Sequence, residues 1–216
     1  MDLITYLGEG KLNELIIPRG TSAAPNIKLG QHLIRGEGFL GQTVRVSEKT
    51  GLKLSNTTIG TIYGCEIQMV RIQPDFGTVA LTDIIAGRPL FWNDTKKFFV
   101  TPLASITARL AGISLVTCTS ANSKGDIIPI VVHGDVGVKM SGAITKASPT
   151  INDPVTMAVS ANLGVADVLA DATGWTNVQL AVKMGRLLEA LGTAGDGEVH
   201  KMYLENAHRI YNDGVM

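Results

Sequence analysis

The sequence predicts a mainly β protein: two tandem, related barrel- or sandwich-like modules behind an extended N-terminal arm. Three observations carry that expectation. Two stretches repeat one another, apolar and polar residues alternate with period two, and glycines punctuate the runs at short intervals. The repeat is the strongest of the three. LAGISLVTCTSANSKGDIIPIVVHG, from Leu110 to Gly134, and KMGRLLEALGTAGDGEVHKMYLEN, from Lys183 to Asn206, align on Gly112 and Gly185. Each glycine is followed by an apolar segment, a small polar linker, a Gly-acid pair (Gly125-Asp126, Gly197-Glu198) and a run rich in β-branched or apolar residues. The copies differ by one residue of loop. Such self-similarity marks two copies of one structural unit.

A chain of 216 residues suits one large domain or two small ones, and the repeat favours two. Residues 1–30 read as an arm, 31–137 as a first β module, and 138–216 as a second that partly repeats 78–136; the boundary sits in the glycine-spaced stretch Gly134 to Gly142. Nineteen positive residues balance nineteen negative ones, which argues against nucleic acid or an anionic membrane surface as the partner. Only 18% of residues are charged and 45% are apolar, and the mean hydropathy is positive. That leaves low-charge surface for subunit contacts and makes homo-oligomerisation the expectation. The start MDLITYLGEGKLNEL carries acids early and lacks a basic lead, so it does not read as a secretory signal. No apolar run approaches the ~20 residues a membrane helix needs. The expectation is a soluble protein made in a cytoplasm, and Cys65 and Cys118, set in apolar β-like runs without a CxxC or His partner, read as buried free thiols.

In the arm, Pro18, Gly20, Pro25 and Gly30 forbid a long regular element, so it reads either as packing along its own domain or as reaching a neighbour. From Gly38 the pattern turns to period two: Val44 and Val46 alternate with Thr43, Arg45 and Ser47, a Glu-Lys-Thr-Gly turn follows, and Leu52 and Leu54 alternate again, a hairpin signature. Ile, Tyr, Val and Thr continue through TTIGTIYGCEIQMVRIQ, with Gly60 and Gly64 as bend or bulge candidates, until Pro74-Asp75-Phe76-Gly77 breaks the run. Pro89 to Trp92, a polar turn, and Phe98 to Val100 read as strand, turn, strand, with one or two weak helical turns in 101–110. In the second module Pro154 to Val159 takes the place of Pro89 to Trp92, and Ser160 to Gly164 supplies the turn. Asn177 to Leu191 has helical spacing by local propensity, but its repeat partner is strand-like. Repeated units share a fold, so Met184 to Ala190 is expected as strand. The tail from Tyr203 closes with at most a helical turn.

Catalytic signatures are not found. GxSxG, GxxxxGK[ST] and HExxH are absent, and the GEG triplets at Gly8 and Gly36 lack a following strand-turn-helix. His200 and His208 are eight apart without a completing Cys or carboxylate. Asp83, Asp94, Asp126, Asp153, Asp167 and Asp196 fall mostly at expected turns, where Asp satisfies local backbone donors. No enzymatic activity, cofactor or metal is expected. Trp92 and Trp175 are candidates for core or interface anchors, with core the better reading. The formal sequons at Asn56 and Asn93 matter only in a secretory pathway, which the start does not support.

The segments SGAITKASP, ADATGWTNVQLAVKMGRLLEA and GDGEVHKMYL, with Gly185-Arg186-Leu187-Leu188-Glu189-Ala190 leading to Gly197-Glu198-Val199, resemble the closing pattern of bacteriophage capsid cement or decoration proteins. The resemblance is best over 138–206, is echoed in 78–136, and fails over the first 75 residues. It implies a β-barrel or sandwich protein, usually a homotrimer, that binds the major capsid protein on the outer face of an icosahedral head and stiffens it. It implies a virion location after synthesis in the bacterial host cytoplasm, and no catalytic residue. Candidate contact residues are Leu15, Ile16, Ile17 and Arg19 of the arm, together with Trp92. A phage tail, vertex or head-fibre component and a carbohydrate-binding β module stay open. A carbohydrate module is expected to display exposed aromatics, and only 5% of residues are aromatic.

Overall fold

The computed structural model describes residues 14–15, 41, 43–46, 48–49, 52–54, 59, 61–72, 84–92, 99–101, 109–117, 127–142, 144–158, 165–168, 183–191, 197–205 and 207. Among these, regular structure is strand, as the alternation predicts. The strands are β1 (Glu14–Leu15), β2 (Thr43–Arg45), β3 (Leu52–Leu54), β4 (Thr61–Ile62), β5 (Glu66–Ile72), β6 (Pro89–Trp92), β7 (Phe99–Thr101), β8 (Leu110–Ser114), β9 (Ile127–Lys139), β10 (Pro154–Met157), β11 (Ala166–Val168), β12 (Gly185–Leu187) and β13 (Val199–Leu204).

Pairing runs β11-β10-β12-β13-β9-β8-β6-β7-β5-β2, and β9 also pairs with β5. That last pairing closes β9, β8, β6, β7 and β5 into a five-stranded barrel. A second ring of the same form follows. The far half of β9 pairs with β13, then come β12, β10 and β11, and a parallel bridge between Ala166 and Met140 returns to β9, with Ser141 N donating to Ala166 O at 2.8 Å.

The two rings agree residue by residue. Leu90 stands opposite Gly112 and Ile113 opposite Val131; Val155 stands opposite Gly185 and Arg186 opposite Tyr203. The parallel bridge Ile72 to Val100 in the first ring is Met140 to Ala166 in the second. Ser114 N donates to Arg88 O at 2.9 Å, and Leu187 N to Asp153 O at 2.9 Å. The aligned glycines have one job. A Cβ on Gly112 would run into the Val131 carbonyl, and one on Gly185 into the Tyr203 carbonyl, so in each copy only glycine lets the two strands approach. The turns before β6 and β10 also match. Arg88 N donates to Ile85 O and Asp153 N to Thr150 O, with positive φ at the third turn residue, Gly87 (90°) and Asn152 (72°). This is a type II arrangement, which admits Gly or Asn at that place. Pro89 and Pro154 then open their strands, where a missing N–H costs no ladder bond.

Several expectations change. The hairpin of 43–54 does not form: β2 pairs with β5, whereas β3 pairs with β1 and β4 in a separate three-stranded sheet. Alternation gives each strand a buried face but does not name its partner. The position between 137 and 138 falls inside β9, which ladders with β5 and β8 on one side of Gly134 and with β13 on the other. Within 183–191 the chain is extended at β12 and then bends, so the repeat outweighs local helical spacing there. The expected helical turns in 101–110 and in the tail, the turn Ser160 to Gly164, Cys118, Trp175 and both sequons lie mainly or wholly outside the described residues.

Every residue of β6 and β8 is buried, so both faces of these strands are covered. One contiguous core runs through both rings, from Ile67, Leu90 and Ile130 to Val155, Leu187 and Met202. Gly185→Ala should therefore cost about 2 kcal/mol or more, whereas Gly142→Ala, whose Cβ meets nothing within 4 Å, should stay within about 0.5 kcal/mol. Urea unfolding of the two variants tests this; equal midpoints would refute the close approach.

Candidate functional site

A polar concavity among the described residues sits where the chain passes from one ring to the other. At Gly134, φ is 97° and a Cβ would collide with Gly64 and Cys65, so glycine is required where β9 crosses this segment. Opposite, the β5–β9 ladder shifts register between Glu66 and Ile67. A bulge of this kind re-aims side chains. Register then builds two rows across the sheet. Arg45 of β2 faces Glu66 of β5, which faces His133 of β9; two residues further along β9, Asp135 faces Tyr203 of β13, which faces Arg186 of β12.

These rows, with Glu48, Tyr63 and Gly64, line a groove of about 300 Å³; Arg186 stands at its border, stacked on Tyr203. The Tyr203 hydroxyl and His133 Nε2 lie 3.2 Å apart, with the two rings edge to face at 5.4 Å. The Arg186 guanidinium sits 5.3 Å from the centre of the Tyr203 ring and 3.4 Å from Glu205. Tyr203 is thus held from both sides. Tyr63, on the segment between β4 and β5, is 45% exposed.

Burial, with the Glu48 charge adding to it, raises the Asp135 carboxyl above the usual range; Lys201 opposes the shift. Cys65 is fully buried behind the groove as a free thiol, and burial pushes its pKa up to about 12, with Asp135 and Glu66 adding to the effect. It is a packing thiol rather than a nucleophile.

The phrase that carries the resemblance has a physical account away from the groove. Gly185 permits the β12–β13 approach, Gly197 takes φ 69°, and Glu189 Oε1 accepts from Lys201 N at 2.9 Å and lies 3.1 Å from His200 Nδ1. Asp153 accepts from Thr150 N and pairs with Lys146 at 2.7 Å, the local role expected for a turn Asp, and its carboxyl is lowered. Although burial opposes that shift, the hydrogen bonds and Lys146 outweigh it. Asp167 lies in β11 rather than in a turn, yet it too binds a backbone donor, Thr145 N, at 2.8 Å.

The sequence candidates are not brought together. Leu15 lies in β1, whose backbone pairs in parallel with β3; Ile16, Ile17 and Arg19 lie outside the described residues. Trp92 is 4% exposed and belongs to the core, so its ring anchors the fold and is not a surface contact. The groove residues escaped the sequence reading because eight positions from distant parts of the chain meet only through strand pairing and the turns beside it. The glycines at 64 and 134 were the one available signal. Among the described residues, no group of three or more His, Cys, Asp or Glu side chains is placed to hold a metal ion.

No protein-family model matches the chain, and no curated protein matches it.

Because the folded Asp135 carboxyl titrates above its unfolded value, its charged form is disfavoured in the native state, and that cost fades as pH falls through the folded pKa. Asp135→Asn should raise the thermal midpoint at pH 7 and leave it nearly unchanged at about pH 3, where the carboxyl is protonated in both states. Calorimetry at the two pH values reads this; a lower midpoint at pH 7 would show that the Lys201 interaction outweighs burial.

Proposed function

We propose that the chain is a non-enzymatic structural protein that binds the outer surface of an icosahedral bacteriophage head and stabilises the capsid. The observation that supports this most is the pair of matched rings sharing one uninterrupted strand. Packed DNA pushes the shell outward, and a cement has to resist shear between neighbouring capsid subunits without yielding internally. A linker between two modules yields. A shared strand yields only when its ladder bonds break, together with the core that lies across them.

The resemblance adds to this reading, since its best-matching segment holds β12 and β13, whose ladder is part of the second ring. In this reading the partners are the major capsid protein and further copies of the chain, as a homotrimer. Specific stable interfaces bury about 1,200 to 2,000 Å², and several modest contacts on one stiff oligomer reinforce each other through effective concentration. A tail, vertex or head-fibre role is the alternative.

Counting the chain against the major capsid protein by quantitative mass spectrometry of density-banded particles separates these readings. A ratio near one, or a simple fraction such as about one third, is expected for a lattice component. A handful of copies per particle would move the chain to a tail or vertex, and complete absence would overturn the proposal. Deleting residues 2–25 should lower occupancy on the head; unchanged occupancy would remove the arm from the contact.

A further inference from the structure

We propose that the groove at the joint of the two rings is a binding site for one neutral sugar unit, a function separate from capsid attachment and independent of it. Tyr63 and Ile151 are the large apolar side chains left exposed among the described residues, and of the two it is Tyr63 that lines this groove. An isolated exposed ring needs no explanation on an open surface. Here it stands on the rim of a polar cleft, where one face of a pyranose can lie on it while the hydroxyls reach the wall.

That wall is mixed in a way that selects among ligands. Arg45 is a pure donor, Glu48, Glu66 and Asp135 are acceptors when ionised, and the hydroxyls of Tyr63 and Tyr203 serve as both. An anion would face three carboxylates. A simple cation would face the Arg45 guanidinium, which already stands opposite Glu66. A polyol meets both kinds of group at once, because each hydroxyl donates and accepts. The volume, about 300 Å³, lies at the small end of ligand sites and suits one ring rather than a chain of them.

The site is also preformed. Gly64 and Gly134 draw the two backbones together, the register fixes both rows, and Tyr203 is clamped between His133 and Arg186. Tyr203 at least has little side-chain freedom left to lose on binding. The aromatic composition is low, but what a sugar site needs is one ring in the right place.

Saturation-transfer NMR on the intact chain, with methyl α-D-glucopyranoside, methyl α-D-mannopyranoside, methyl β-D-galactopyranoside and N-acetylglucosamine as probes, tests this. At least one probe should bind saturably with Kd of order millimolar. Tyr63→Ala and Arg45→Met should each weaken it by about tenfold or more with unchanged thermal midpoints, while Ile151→Ala, outside the groove, should leave it unaltered. Three results would each overturn the proposal: no saturable signal from any probe at about a hundred millimolar, binding of N-acetyl-lysine methylamide in place of every sugar, or sugar binding indifferent to Tyr63→Ala.

Discussion

The ladder of β9 is the constraint on which the rest depends. Its first half closes one ring against β5 and β8, and its second half opens the next against β13. Because successive side chains of a strand alternate faces, a one-residue slip in β9 would turn Val136 and Val138 of the second ring toward the face that carries Asp135, and would at the same time shift the wholly buried run Ile127 to Val132 within the first. Register in the two halves is therefore a single choice. Gly134 is the position that makes it possible, since it gives the strand its left-handed φ where Gly64 and Cys65 press against it.

Much of the architecture was legible because the repeat writes it twice. Gly112 and Gly185 align in sequence for the reason they align in space: each lies under a neighbouring carbonyl that any Cβ would strike. The same logic decided β12, where helical spacing in Asn177 to Leu191 was a local signal and the strand partner at Leu110–Ser114 a global one. Legibility failed where no second copy stood as a guide. The alternation at 43–54 was real, yet its two halves went to different sheets, because the partner of β2 is set by the edge of β5 and not by the turn between β2 and β3. The continuity of β9 was hidden by glycines that elsewhere end strands and here let one bend.

The groove was illegible for a related reason. Its members come from β2, the turn after it, the segment before β5, β5, β9 and β13, so no window of sequence holds more than a few of them. What makes them neighbours is the count of residues along three ladders, β2–β5, β5–β9 and β9–β13. Trp92 gives the opposite lesson. A large aromatic in an apolar run is a natural anchor, and it became one for the core. The ring that reached the surface was Tyr63, whose flanking Gly64 keeps the chain from continuing as a buried strand.

The matched turns before β6 and β10 sit in different surroundings. The first, at Ala86 and Gly87, is buried, with Gly87 O accepting from Lys139 N at 2.8 Å and its Cα packed near Val199. Its twin carries Asn152 at the same left-handed φ and Ile151 at 57% exposure. Of two turns with one geometry, then, one is mortar between the rings and has no latitude, while the other keeps an open tip. Natural drift is expected to collect at 150–152, and a foreign loop or epitope grafted into this chain would find its most forgiving seat there.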